Sequence, residues 1–212
     1  MVQGNASFKL LIPDADRQLS ETLTIPGAEP GDILEIRVNN LSPEASALGY
    51  ASVLSDGQVR PLLAGNHGGC LLPALLYPGN SLYLPVFLPG GGLSLGKPVG
   101  VQRKPVFNAE TGTGSQIEVE IEVNILEDFP LQRPRLENRF SWSFLSCHSR
   151  PSQALNLAWQ DVLTHLQSTC FCSREKARAL AATGVQVSFY SAPGLPATTT
   201  CICLPKSIVR QL

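Results

Sequence analysis

The chain has 212 residues, of which 43% are hydrophobic and 16% charged, and its formal net charge is −1. A chain of this length can bury roughly 70% of its unfolded surface, so its folding does not require a disulfide or a metal. Its lysines and arginines are scattered, so the sequence has neither the basic stripe of a nucleic-acid-binding protein nor a polybasic membrane anchor. No run of about 18 apolar residues predicts a transmembrane helix. We therefore expect a soluble globular protein.

The N-terminal residues contain no basic segment followed by an apolar run, so no signal peptide is predicted. Without such a signal, the six cysteines favour reduced thiols, because disulfides are rare in the cytosol. These features together predict a cytoplasmic protein.

Alternation of apolar and polar residues predicts strands along the first half of the chain. These segments are 7–12, 19–25, 33–39, 49–54, 58–63 and 81–87. Asp56-Gly57 lies between two of them and is typical of a hairpin, because both central residues of a type I′ turn need a positive φ. Residues 88–115 are rich in glycine and proline and are predicted to form a long loop or insertion, with one short strand near 99–101.

Residues 116–126 show the clearest strand pattern, with isoleucine and valine alternating with Glu118, Glu120 and Glu122. This acidic row is predicted to be a solvated outer face of the sheet, and a cation site is the alternative. Another strand is predicted at 139–146, where an aromatic residue at every second position indicates a buried face. Two more strands, at 185–190 and 198–204, are predicted to end the chain.

Between these strands the spacing of apolar residues changes to three and four, which predicts an amphipathic helix over 151–167. Ser149 is the predicted cap of this helix, and Pro151 suits its first turn. A shorter helix is predicted over 173–182, with Ser173 as its N-cap and Gly184 just past its end.

These elements predict a single β-rich domain over residues 1–212, with the loop or insertion at 88–115 and a helical segment at 150–183. The predicted fold is mostly β: an antiparallel β-sandwich, Ig-like in broad class, with one longer and one short helix near the C-terminus.

Two Cys-x-Cys pairs are the most distinctive motif. Side chains two apart on a strand share a face, so four thiolates could complete a tetrahedral zinc shell if the two segments were adjacent. Structural zinc sites usually place two to four residues between their cysteines, however, and a cysteine thiol is also a common core group. Buried thiols are therefore the preferred interpretation, and a metal site is the alternative. The candidate metal ligands are Cys170, Cys172, Cys201 and Cys203.

No complete catalytic apparatus is visible in the sequence. Cys147 and His148 are adjacent on a predicted strand and so point to opposite faces, while His67 or His165 could approach Cys147 only through the fold. The chain lacks the Gly-x-Ser-x-Gly elbow of serine hydrolases and the Gly-Lys-Ser/Thr ending of a phosphate-binding loop. The sequence therefore predicts no catalytic residue, no cofactor and no enzyme.

Several short segments, each a turn followed by a strand or a helix, together resemble a known family. They are Pro30-Gly31-Asp32 before a strand, Ser55-Asp56-Gly57 within a hairpin, Tyr77-Pro78-Gly79-Asn80 before a strand that ends in Pro85, and Ser149-Arg150-Pro151 before a helix. Over about residues 28–168 the chain resembles the domain of unknown function that follows caspase-like peptidase domains in bacterial proteins. The stretch at 88–115 and the cysteine pairs depart from that pattern.

This resemblance implies a non-catalytic accessory or interaction module whose protein partner is a caspase-like peptidase. We expect such a module to bind through a sheet edge or an apolar patch, formed by the strands around 50–63 and 81–87. A structural or ligand-binding β module is one alternative function. A zinc-stabilised domain or zinc enzyme that uses the Cys-x-Cys pairs is the other.

Overall fold

The computed structural model describes residues 2–13, 19–43, 47–57, 64–71, 74–96, 116–191 and 197–211. The strands in these ranges are β1 Val2–Ile12, β2 Ile33–Leu41, β3 Tyr50–Ser52, β4 Gly68–Cys70, β5 Ser81–Pro85, β6 Ser94–Gly96, β7 Ile117–Leu126, β8 Arg135–Glu137, β9 Ser141–His148, β10 Gln186–Ser191 and β11 Thr198–Pro205. The helices are α1 Pro151–Cys170, α2 Arg174–Ala182 and a final 3₁₀ helix, Lys206–Gln211. The protein is mostly β with two α-helices near the C-terminus, which confirms that part of the prediction.

The strands form two antiparallel sheets. The large sheet has eight strands in the order β1-β7-β2-β5-β8-β9-β11-β10, and the small sheet has three in the order β4-β3-β6. The small sheet packs on one face of the large sheet, which we call the small-sheet face. Helix α1 packs on the other face, over β9 and β11, and we call this the helix face.

The main core lies between the two sheets. Because alternate side chains of a strand point to opposite faces, Leu34 and Ile36 of β2 and Val123 of β7 all enter this core, and each is fully buried. Ala51 of β3 and Leu95 of β6 close it from the small sheet. The alternation that predicted the strands at 33–39 and 116–126 therefore reflects a core on one face only.

A second core lies under the helices. Phe144 of β9 and Ile202 and Leu204 of β11 are buried against Ala158 and Val162 of α1. Strands β9 and β11 thus bury side chains on both faces, toward the small sheet on one side and toward α1 on the other. The predicted burial of the aromatic residues at 139–146 holds for Phe144 and is wrong for Phe140, which is 72% exposed.

The helices follow the predicted positions, with a difference at one cap. Arg150, and not Ser149, is the N-cap of α1, and its side chain makes no capping hydrogen bond; Pro151 occupies the first turn as predicted. Ser173 caps α2 by accepting a hydrogen bond from the amide of Lys176. Helix α1 continues to Cys170 and ends at Phe171, whose φ of 49° is left-handed.

Other details of the predicted fold differ from the structure. The Ig-like class is not confirmed. An Ig fold divides its strands almost evenly between two sheets, whereas here one sheet has eight strands and the other three. The strand predicted at 19–25 is wrong: Leu19 and Leu23 make only isolated bridges, to Gly96 and Leu93.

The segments rich in glycine fall partly outside the described residues. The described part of the predicted loop, residues 88–96, contains a turn at Gly90–Gly92, where all three φ values are positive, followed by strand β6. The strand near 99–101 lies outside the described residues, as does segment 58–63, the second arm of the predicted hairpin. The first arm forms β3, which pairs with β4 and β6.

The strands that were expected to offer a binding edge are internal. Strand β3 is the central strand of the small sheet, and β5 lies between β2 and β8 in the large sheet. The edges of the large sheet are β1 and β10 instead. None of the helices in the described ranges combines the length and the hydropathy that a membrane-spanning helix needs.

The adjacent threonines of β11 give a matched test of buried hydroxyl groups. Thr200 is fully buried on the helix face, and its hydroxyl has no hydrogen-bond partner among the described residues. Thr199 is buried on the other face and hydrogen-bonds to the thiol of Cys147. Valine has nearly the shape of threonine but no hydroxyl, so we expect Thr200→Val to raise the free energy of unfolding by about 1 kcal/mol.

Urea denaturation monitored by circular dichroism measures this change. Thr199→Val is the control, because it deletes a satisfied hydroxyl from the neighbouring position and should lower the free energy of unfolding. Equal effects of the two substitutions would contradict the assignment of their hydroxyl partners.

Candidate functional site

The described residues contain two arrangements of polar groups that could carry chemistry. One is a buried polar cluster on the helix face, beside the area that α1 covers; its residues are Glu35, Tyr83, Asn124, Arg135 and Glu137. The other is a cleft between the two sheets. Their geometry decides which of them is open to a small molecule.

Glu35 anchors the cluster from the middle of β2 and is only 6% exposed. One carboxylate oxygen accepts hydrogen bonds from Arg37 and from the hydroxyl of Tyr83, and the other accepts one from Asn124 at 3.1 Å. Burial acts to raise the pKa of this carboxyl, but the three donors outweigh it and hold the pKa below its usual value. Glu35 is therefore a buried carboxylate, and both of its oxygens accept hydrogen bonds.

Tyr83 lies between two carboxylates. Its phenol oxygen is 3.0 Å from Glu35 Oε1 and 3.1 Å from Glu137 Oε2. Burial and the two nearby negative charges raise the pKa of this phenol, so the hydroxyl keeps its proton and acts as a donor. Glu137 is balanced in turn by Lys206, whose ammonium is 2.6 Å from its other oxygen.

Arg135 and His165 close the cluster at the edge of α1. Arg135 Nη1 is 3.3 Å from His165 Nδ1. Since the guanidinium can only donate, Nδ1 accepts and the proton of the neutral ring lies on Nε2. Burial and the charge of Arg135 lower the pKa of His165 to about 4, so the ring is neutral at pH 7.

This cluster is a closed, largely charge-balanced network, and we assign it a structural role. Glu35 pairs with Arg37 and Glu137 with Lys206, whereas Arg135 Nε and His165 Nε2 are buried without a hydrogen-bond partner among the described residues. Aromatic rings cover part of the cluster: the Arg135 guanidinium lies 4.7 Å from the Tyr83 ring centroid and 4.9 Å from that of Phe129.

The acidic row of β7 lies on the same face of the large sheet. Glu118 is half exposed and lies 3.7 Å from Lys9, and Glu122 lies 3.9 Å from Arg37. Part of this row is thus paired with cationic side chains and not only solvated. Within the described ranges, no group of three His, Cys, Asp or Glu residues is placed to hold a metal ion.

The structure separates the two cysteine pairs that were candidate zinc ligands. Cys170 and Cys172 follow α1 and pack against the core on the helix face. Cys201 and Cys203 alternate along β11 with Ile202 and Leu204, which face the helix, so both thiols point to the small-sheet face. The sheet lies between the two pairs, and one ion cannot bind all four.

The inter-sheet cleft is the candidate functional site. It is an open space of about 210 Å³, part of it solvent, between β4 of the small sheet and β9 and β11 of the large sheet. The residues that line it are Ala64, Gly65, Gly68, Cys70, Leu71, Pro134, Leu145, Ser146, Cys147 and Thr199. As it stands the cleft is narrow, with enclosed room for about one water molecule, so a ligand of several heavy atoms requires its walls to move apart.

Two glycines shape one wall of the cleft. Gly65 and Gly68 exchange backbone hydrogen bonds of 2.9 and 3.2 Å around a tight turn that carries His67. A Cβ at Gly68 would lie 2.2 Å from the carbonyl oxygen of Ala51, and its φ of +100° also favours glycine. The lack of a side chain at Gly68 therefore lets β4 lie against β3 and keeps this wall in place.

The opposite wall carries a thiol and a hydroxyl side by side. Cys147 and Thr199 are register partners on β9 and β11, and their side chains hydrogen-bond. Burial raises the pKa of the Cys147 thiol, Thr199 partly offsets this, and the nearby Cys70 raises it further. Cys147 is therefore a neutral thiol at pH 7, with Cys70 across the cleft.

The structure excludes one of the two histidines that could have approached Cys147. His165 lies on the helix face, 5.3 Å from the Phe144 ring, and is separated from Cys147 by the sheet. His67 belongs to the turn at the cleft wall, and its ring lies 2.7 Å from where a Cβ of Gly65 would be.

No sequence motif marks the cleft. Its walls come from β4, β9 and β11, which are far apart along the chain, and Thr199 carries no motif. The signal that could have indicated it is the segment 65–69, which holds three glycines and one histidine directly before Cys70.

Comparisons with solved structures identify the fold. The chain is similar to a recombinant predicted acetamidase/formamidase from Thermoanaerobacter tengcongensis, with a TM-score of 0.78 and 16% identity over 97% of this chain and 88% of that one. It is also similar to an acetamidase from Yersinia enterocolitica, with a TM-score of 0.73 and 18% identity over 91% and 74% of the two chains. An acetamidase from Bacillus halodurans has the same score and identity over 92% and 80%. A scan against protein-family models gives no match, and neither does a search of curated proteins.

This finding corrects the functional prediction. The interpretation as a non-catalytic accessory module associated with a caspase-like peptidase is wrong, because the structures that share this fold over almost the whole chain are described as acetamidases. The prediction that the chain is not an enzyme is contradicted by the same likeness. The resemblance to the domain that follows caspase-like peptidases stays a prediction, since these comparisons do not test it.

The lowered pKa of Glu35 predicts a pH-dependent contribution to stability. A carboxyl whose pKa is lower in the folded state stabilises the fold above its unfolded pKa, and this contribution is lost as the pH falls through the folded value. We expect Glu35→Gln to lower the free energy of unfolding by about 2 kcal/mol at pH 7 and by less in acid. Urea denaturation at a series of pH values measures this, with the exposed Glu118→Gln as a control that changes stability by less than about 0.5 kcal/mol.

The buried ring of His165 predicts a second acid-sensitive contribution. Between pH 6.5 and about 4 the unfolded state binds a proton that the folded state excludes, so stability falls as the pH decreases through this window. We expect His165→Gln, which does not titrate, to show a shallower decrease over the same range. Urea denaturation at a series of pH values measures this decrease. If the free energy of unfolding falls equally with pH in the two proteins, the ring is not neutral in the folded state.

Proposed function

We propose that this chain hydrolyses a small, uncharged carboxamide to a carboxylic acid and ammonia. The observation that carries the proposal is the fold likeness over 97% of the chain to a structure described as an acetamidase/formamidase. Two further structures with this fold are described as acetamidases. Because a shared fold does not by itself imply a shared activity, the site must supply the rest of the argument.

The cleft favours a small and neutral substrate. Its described lining contains no charged side chain, and the polar side chains that face it are the thiols of Cys70 and Cys147 and the hydroxyl of Thr199. A charged ligand would lose its hydration there without meeting a counter-ion, which costs far more free energy than burying a hydrogen-bonded amide. A primary carboxamide matches the lining, because its carbonyl oxygen accepts from a hydroxyl or thiol and its amino group donates.

The protonation of Cys147 decides its role in this proposal. A cysteine nucleophile acts as the thiolate, and burial raises the pKa of Cys147, which disfavours that form at neutral pH. We therefore assign Cys147 and Thr199 to binding the amide and not to attacking it.

We also propose that the protein works in the cytoplasm. All six cysteines are thiols and form no disulfide, which suits a reducing compartment.

Release of ammonia from acetamide and formamide tests the activity. We expect turnover of both amides and much weaker turnover of glycinamide, whose ammonium group the uncharged cleft should reject. Thr199→Val removes one hydrogen-bonding group from the cleft and should raise KM by roughly fivefold, the equivalent of about 1 kcal/mol.

Thr200→Val is the matched control, because it makes the same change one residue further on, at a side chain that points away from the cleft. Its KM should equal that of the unchanged protein. The proposal fails if the folded protein releases no ammonia from any of these amides. If both valine variants raise KM equally, the assignment of the cleft as the binding site fails.

A further inference from the structure

Strand β10 is an edge of the large sheet that lacks the usual protection against pairing with another strand. It hydrogen-bonds to β11 on one side and to no other strand among the described residues. Its sequence, Gln-Val-Ser-Phe-Tyr-Ser, has no charge and no proline, and its register with β11 is regular. Natural sheet edges usually carry a lysine, a proline or a bulge that prevents such pairing.

The other edge of the sheet does have such features. Strand β1 has an irregular register between Gln3 and Ala6 and carries the exposed Lys9. The contrast indicates that β10 is the edge that is open to pairing.

The two faces of β10 differ in a way that suits a partner strand. On the small-sheet face, Tyr190 packs against Tyr50 and Cys70, so the strand is held by its own chain. On the helix face, Val187 is 42% and Phe189 53% exposed, although both are large apolar residues. These two side chains alternate along the strand and form an apolar row beside the open edge.

We propose that β10 pairs with β10 of a second copy of this chain, antiparallel and across a two-fold axis. In a two-fold contact the same strand serves both partners, and the residue numbers of opposed residues have a constant sum. With the axis at Ser188, Val187 of each copy lies opposite Phe189 of the other. Each contact is a pair of an aromatic and a β-branched residue, which is a favourable cross-strand combination, and no two like charges meet.

The other registers are less favourable. An axis at Val187 pairs two valines and leaves Phe189 opposite residue 185, outside β10, whereas an axis at Phe189 pairs two phenylalanines and leaves Val187 opposite the polar Ser191. Only the axis at Ser188 covers all four apolar side chains. The two eight-stranded sheets then form one continuous sheet, joined by main-chain hydrogen bonds.

The proposal predicts a dimer that dissociates on dilution, because a six-residue edge buries little area compared with a permanent interface. Analytical ultracentrifugation of the full chain should show the dimer fraction rising with protein concentration. A double variant with Val187→Lys and Phe189→Lys should be monomeric, since each lysine faces another lysine. A second double variant, with Val187→Glu and Phe189→Glu, should be monomeric for the same reason.

Mixing the two double variants distinguishes the proposed pairing from a loss of folding. In this register every lysine meets a glutamate, so the mixture should form a one-to-one dimer that high salt weakens. Leu11→Lys, an exposed apolar residue on the opposite edge, is the control and should leave the dimer unchanged. The proposal is overturned if the unchanged chain is monomeric at its highest soluble concentration, if the mixture stays monomeric, or if Leu11→Lys alone dissociates the dimer.

Discussion

The burial of β11 on both faces is the constraint on which the rest of the structure depends. Part of a large open sheet can leave one face in water, but β11, like its neighbour β9, is buried on both: it carries Ile202 and Leu204 on one side and Cys201 and Thr199 on the other. Removing both sets from water requires a layer on each side. Helix α1 supplies one layer, and the small-sheet side supplies the other. The position of the cleft follows, because it lies where this second layer meets β9 and β11.

The same double burial explains which parts of the fold could be predicted. Strands β2 and β7 bury one face, so their alternation gives strand, register and core together. Strand β11 is buried on both faces and gives no such alternation, so its two cysteines left a metal site open as an alternative to buried thiols. The segment 19–25 alternates as clearly as β2, yet its neighbours leave it only two bridges. Local pattern cannot show which partners a strand will find.

The candidate site was less accessible to sequence reasoning than the fold. Its components are a glycine turn, a thiol and a hydroxyl, none of which is unusual alone, and only the pairing of β9 with β11 brings Cys147 beside Thr199. The more conspicuous ionisable residues, Glu35, Arg135 and His165, lie in a network that satisfies most of its own charges. In this protein the groups with the strongest mutual interactions stabilise the sheet, and the neutral groups line the opening.

The pairing of β1 with β7 has a consequence for biosynthesis. Ile12 lies opposite Ile117, so during synthesis β1 has to wait for more than a hundred further residues before its partner β7 appears. Strands β9 to β11, in contrast, find their neighbouring strands within one continuous stretch of the C-terminal half. Closing the long loop between β1 and β7 carries a large entropic cost, which makes it a late event. Strand β1 therefore stays without its β7 partner on the nascent chain until that strand has been synthesised.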